Sequence, residues 1–201
     1  MTSSLTIRQR AGCEVVCVAD TANTAASDLQ ATGRYVVEHW RGGKRINEYH
    51  VNNGIVNEGK NKLLDVMFHG VTQITAWYLG LIDNANYSAL DATDTYDDID
   101  QAGNGWDEFK NYTTGGDGTV RPEWSEDAAS GQSITNSTVA VFDITGSGTV
   151  KGLFLCGGIP STNTKGDHTT GGTLWATALF GSGDVAVQNG DQLKVSYTVS
   201  A

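Results

Sequence analysis

Short β-type runs fill most of the last third of the chain. The runs SITNSTVAVFDIT (133–145), GTVKGLFLCGG (148–158), GTLWATALF (172–180) and DQLKVSYTVSA (191–201) read as short strands. The last run reaches Ala201, which predicts that the C-terminus closes a sheet. Nearer the start, Tyr35–Trp40 and Arg45–Val51 flank Arg41-Gly42-Gly43-Lys44, a hairpin pattern with a Gly-Gly turn. The run ITAWYLGLI (74–82) has little polar alternation, as expected of a strand covered on both faces. One segment breaks this pattern. In Glu58–Phe68 the residues Leu63, Leu64, Met67 and Phe68 fall at i, i+1, i+4 and i+5, the stripe of a helix over about 57–69. Asn57 is the expected N-cap, Glu58 suits the positive end of the dipole, and His69-Gly70 is a natural stop. The stripe is expected to be core, laid against a sheet.

Two long irregular stretches remain. Residues 83–121 are rich in acid, with Asp83, Asp91, Asp94, Asp97, Asp98, Asp100, Asp107, Glu108 and Asp117, and a loop this long inside a compact domain points to function. Trp106, Phe109 and Tyr112 should anchor its second half, and Pro122 predicts an extended Arg121. The second stretch is the Gly-rich loop Gly157–Gly172. With eight to ten strands and one helix, the pattern predicts a mainly β fold over residues 33–201: an antiparallel β-sandwich, jelly-roll-like, with long loops. Residues 1–32 are polar and small, with one strand-like run, CEVVCVA (13–19). They read as an N-terminal arm, extended or partly disordered, that could add a strand to a neighbour's sheet.

Composition narrows the function classes. A chain of 201 residues with 25 glycines and 2 prolines fits one turn-rich domain plus the arm. The net charge of −10 argues against nucleic acid, which needs clustered cations to displace counterions, and against an anionic membrane. No run approaches the roughly 20 apolar residues of a membrane span, and the N-terminus has no basic segment followed by an apolar one. Synthesis in a cytosol is therefore expected. Cys13, Cys17 and Cys156 are an odd number and form no disulfide framework. They read as buried or harmless thiols. The alternatives are a cross-link between subunits after release into an oxidising medium, and a metal site.

The search for chemistry yields weak candidates. DATDTYDDID (91–100) brings Asp94, Asp97, Asp98 and Asp100 close in sequence, and calcium takes clustered carboxylates. The spacing does not match an EF-hand loop, and a solvated acidic loop is the plainer reading. Gly146 to Gly152 is one residue too long for GxGxxG and lies between strands, so it reads as a hairpin turn. No GxSxG elbow, HExxH or P-loop is present. His39 and His50 could face each other across the hairpin as a structural pair. Trp77 and Trp175 read as core; Trp40, Trp106 and Trp124 flank turns and are the freer ones for stacking on a sugar. The expectation is no enzyme, no catalytic residue and no cofactor.

The segments NGIVNEGKNKLLDVMF (53–68), ITAWYLGLID (74–83), GWDEF (105–109), RPEW (121–124), SITN (133–136), AVFDIT (140–145), GTVKGLFL (148–155), GTLWATALF (172–180) and GDQLKVSYTVSA (190–201) resemble a family of small virion proteins of tailed bacteriophages. The resemblance covers about residues 46–201, and its motifs are structural. It implies a head decoration (cement) protein on the capsid exterior, made in the host cytoplasm, with the major capsid protein and further copies of itself as partners, a trimer favoured. Contacts are expected at the arm, around Cys13, Val15, Val16 and Val18, and at the two long loops, with Tyr96, Trp106 and Tyr112 in the first of them. A tail-associated or receptor- and glycan-binding module of the virion is the alternative.

Overall fold

The computed structural model describes residues 5–8, 14–17, 31–103 and 105–201. The chain divides into two compact units, 1–30 and 31–201. In the first, β1 (Leu5–Arg8) pairs antiparallel with β2 (Glu14–Cys17), so the strand predicted near Cys13 has a partner within its own segment.

The second unit is mainly β. It opens with the predicted hairpin, β3 (Thr32–Arg41) and β4 (Lys44–Ile55). Gly42 and Gly43 both hold positive φ, 55° and 75°, which the tight turn needs and which residues with a Cβ avoid. There follow α1 (Asn57–Phe68), β5 (Trp77–Asp83), β6 (Tyr112–Thr113), β7 (Ser133–Thr135), β8 (Ala140–Ile144), β9 (Gly148–Gly157), β10 (Thr173–Leu179), β11 (Val185–Val187) and β12 (Gln192–Ser200). Every strand pairing among the described residues is antiparallel.

The ten strands form one sheet folded over on itself, and β4 makes the fold. Up to Asn53 it pairs with β3; at Gly54 and Ile55 it pairs with β10 instead. One layer is therefore β4-β3-β12-β8-β6, with β7 also paired to β12, and the other is β10-β9 with β5 and β11. The inner faces meet in a core of Tyr35, Val37, Phe142, Val195 and Tyr197 from the first layer and Leu79, Leu81, Leu153, Leu155 and Ala176 from the second. This is a sandwich whose two layers share a strand.

A smaller core lies on the opposite face of the second layer, where Ile82, Phe154, Cys156 and Leu174 meet Tyr96, Ile99 and Trp106 from the long acidic loop. The loop is thus a lid over a sheet face. It explains why β5, β9 and β10 lack polar alternation: both of their faces are buried.

The helix lies where predicted but not as predicted. Its N-cap is Val56, whose side chain has no acceptor to cap with, and the Asn57 N–H donates to the Ala92 carbonyl (2.8 Å). Gly59 sits against the Trp175 backbone so closely that a Cβ would fall 2.5 Å from its carbonyl oxygen, which brings the first turn down onto β10. The rest of the helix leaves the sheet. Leu63, Leu64, Met67 and Phe68 are 38, 54, 65 and 82% exposed, so the stripe expected in the core faces solvent. The reason is that the core is already closed by strand side chains, and α1 touches it only through its first turn and the Val66 side.

Candidate functional site

Two places stand out: a buried polar junction beneath the lid, and the exposed apolar face of α1.

The junction is built around Arg121. Pro122 keeps Arg121 extended, and the Arg121 N–H donates to the Asn163 carbonyl (2.6 Å). Its side chain and that of Glu108 are completely buried. Arg121 Nε and Nη2 donate to the two Glu108 oxygens at 2.9 and 2.8 Å, a bidentate pair. The other Arg121 hydrogens go to the Thr162 carbonyl (2.8 Å), the Asp167 carbonyl (3.1 Å) and the Tyr96 hydroxyl (3.3 Å). Glu108 also accepts from the Gly166 N–H (2.6 Å) and the Tyr112 hydroxyl (3.2 Å), and the Tyr96 hydroxyl donates to Asp167 (2.7 Å). One ion pair therefore ties together the acidic loop, the Arg-Pro segment and the Gly-rich loop. Only its burial is costly, and the multiple partners offset that cost. Arg121 is the one cation between Lys110 and Lys151, which was the only trace of the junction in the sequence.

The thiol beside the junction is not activated. Cys156 lies there, with Sγ 3.6 Å from Arg121 Nη1, but burial pushes its thiol up to about 12 against the pull of Arg121. At neutral pH almost no thiolate forms, so Cys156 is a poor nucleophile and metal ligand. Cys13 lies outside the described residues, as does Val18; Val15 and Val16 lie in β2, paired across to Ile7 and Thr6.

The remaining predicted contact residues are corrected by their positions. Tyr96, Trp106 and Tyr112 are buried, at most 1% exposed, so their side chains have no surface to offer a partner. They are the anchors of the lid. Trp124, expected to be freer, is also buried, donating to the Tyr197 carbonyl (3.0 Å).

The acidic loop is likewise turned on itself. Asp94 accepts from the Trp106 indole N–H (3.0 Å), Asp98 from the Thr95 N–H (2.7 Å), and Asp100 from the Glu108 N–H (2.6 Å) and Lys110 (2.7 Å). Asp97 accepts from the Thr170 hydroxyl (3.2 Å). These carboxylates serve the lid's own backbone and side chains instead of converging on a point. Among the described residues no group of three His, Cys, Asp or Glu side chains is placed to hold a metal ion.

The two hairpin histidines do not meet. His50 stands opposite Val36 and points outward to Glu48 (2.8 Å) and Arg34 (2.8 Å). His39 points inward to Asp191 (2.9 Å), which also receives Arg41 Nε and Nη2 at 2.7 Å each and the Gln188 N–H at 2.9 Å. The Arg41 bonds hold the Asp191 carboxyl well below the usual carboxylate range, against the cost of burial and with help from His39. This cluster fastens the β3–β4 hairpin to the turn before β12.

The second place is apolar. Leu63, Val66 and Met67 form one wall of a groove of about 380 Å³; Ile74, Trp77 and Trp175 lie among the residues lining the rest, and Lys62 and Glu126 are polar members. Of the seven large hydrophobic residues exposed among the described residues, four are Leu63, Leu64, Met67 and Phe68. A contiguous apolar patch of this kind marks an interaction surface, whereas single exposed hydrophobics do not. The stripe was legible in the sequence; its exposure was not. No family model and no curated protein matches the chain.

Proposed function

We propose that the chain is a non-enzymatic structural protein of a tailed-phage virion, a capsid decoration protein that binds the outer surface of the head. The observation that carries the reading is the apolar face of α1, a surface suited to assembly, which is exposed among the described residues. The phage resemblance gives it direction. Its segments fall on the end of β4, α1, β5, β7 to β10 and β12, and on Trp106, Glu108, Arg121 and Trp124 of the lid and junction. They are the residues that build and brace the body, which suits a protein whose product is a rigid shape.

The mechanism is mass action. A protein that binds the assembled shell and not the loosened one shifts the equilibrium toward the shell. Copies bridging neighbouring capsomers resist the outward pressure of packaged DNA. The partners are the major capsid protein and other copies of this chain. A cryo-EM map of the particle, with copy number per virion, tests the reading. Many copies spread over the head are expected. A few copies at the tail tip would replace it with a receptor- or glycan-binding role. Heating virions with and without the protein checks the cementing step: equal temperatures of DNA release would remove it.

A further inference from the structure

The exposed face of α1 has a composition that complements itself. At 100° per residue, Lys60, Leu63, Leu64 and Met67 share one face, with Phe68 at its edge. The first turn carries the acid Glu58, and the last turn carries no cation, so the negative end of the helix dipole has no compensating charge on its own helix. Lys60 and Phe68 are each four residues from Leu64. If two copies of α1 lie antiparallel about a two-fold axis at Leu64, Lys60 of each stands level with Phe68 of the other. Each lysine then meets the cation-free end of its partner's helix, and the opposed dipoles attract.

Apolar contact completes the fit. Leu63 and Met67 belong both to this face and to the wall of the groove, so a second helix laid along the face also covers the groove's open side. Full burial of the four exposed side chains of both copies would remove on the order of 1,000 Å² from water, the lower bound for a specific interface. An interface of that size gives a dimer in exchange with monomer, not an obligate one.

We infer that α1 is the self-association surface of this protein, pairing antiparallel with α1 of a second copy through Leu63, Leu64, Met67 and Phe68, with Lys60 at the partner's helix C-terminus. The inference goes beyond the virion reading and holds wherever in the particle the chain acts. It is tested on the free full-length protein without virions, so its failure and that of the capsid reading are separate results.

Sedimentation equilibrium of the wild type over a wide concentration range is expected to show monomer and dimer. Leu64→Glu is expected to weaken dimerisation at least tenfold. Lys60→Glu should weaken it severalfold, by an amount that shrinks in high salt. Ile46→Glu, which alters an exposed hydrophobic residue on β4, should leave it unchanged. Because Leu64 is exposed, Leu64→Glu should keep the wild-type near-UV circular dichroism. Leu64→Cys places two thiols at the axis and is expected to give covalent dimer above the wild-type background on mild oxidation. A wild type that stays monomeric, a trimer, a dimer indifferent to Leu64→Glu, or no added cross-link from Leu64→Cys each overturns the inference.

Discussion

The junction beneath the lid and the far end of α1 invert the usual placement of residues. At the junction the side chains of an arginine and a glutamate are fully buried, while on α1 a phenylalanine is more than four-fifths exposed. The inversion has one cause in each case. Arg121 and Glu108 are buried because each hydrogen bond they lose to water is replaced by a backbone or side-chain partner from three loops. Phe68 is exposed because it lies at the far end of α1 from Gly59, the one buried residue of the helix, which seats the first turn on β10. A buried charge here is a brace inside the protomer, and an exposed apolar face is a contact outside it.

Removing one half of the brace should have the largest effect. Arg121→Met leaves Glu108 buried without its cation and is expected to destabilise the protein by about 3–5 kcal/mol in chemical denaturation. A cost under about 1 kcal/mol would show that the junction does not hold the loops. Combining it with Glu108→Leu should cost less than the two single changes summed, since the second change removes the stranded charge.

A steric test of the lid comes next. At Gly172 an added Cβ would fall 2.1 Å from the Tyr96 ring, so Gly172→Ala must displace that anchor. The expected cost is about 1–3 kcal/mol, read from the same denaturation curves. An unchanged midpoint would mean that the lid repacks freely.

Asp191 extends the comparison to a buried carboxylate whose arginine is partly exposed. Its folded pKa is depressed, so its contribution is complete above the unfolded value of about 3.9 and is lost as pH falls from there toward the folded value. Asp191→Asn should cost about 2 kcal/mol at pH 7. The gap to the wild type should narrow below about pH 4, and a gap independent of pH would mean that the charge is immaterial.

The smallest effect belongs to α1. Phe68→Ser should change the stability of the dilute protomer by no more than about 0.5 kcal/mol, because the residue is 82% exposed. A loss of 2 kcal/mol or more would place Phe68 in the protomer's core and erase the contrast with the junction. Thermal melts at low protein concentration measure it.

Much of the fold was readable because it rests on local rules. The hairpin of β3 and β4 follows from two β-type runs around Gly42-Gly43, the helix from its stripe, and the two-sided burial of β5 from an uninterrupted apolar run. The candidate sites were less legible. Trp106 was expected as an anchor and is one. Tyr96 sits in an acidic stretch that reads as solvated, yet the loop folds over a sheet face and buries it. Nothing in the neighbourhood of Arg121 reveals that Glu108, thirteen residues earlier, will meet it; that pairing depends on how three loops converge.

The sequence by itself determined the kinds of element and their order, because side-chain period and turn residues act over a few neighbouring positions. The tertiary structure alone decided that β4 would be shared by both layers, that Arg121 and Glu108 would be enclosed, and that the apolar stripe of α1 would face outward. Those outcomes depend on which surfaces compete for the same interior. Once the strands had filled it, a helix carrying the same stripe that would suit a core was left to seek its partner outside the protomer.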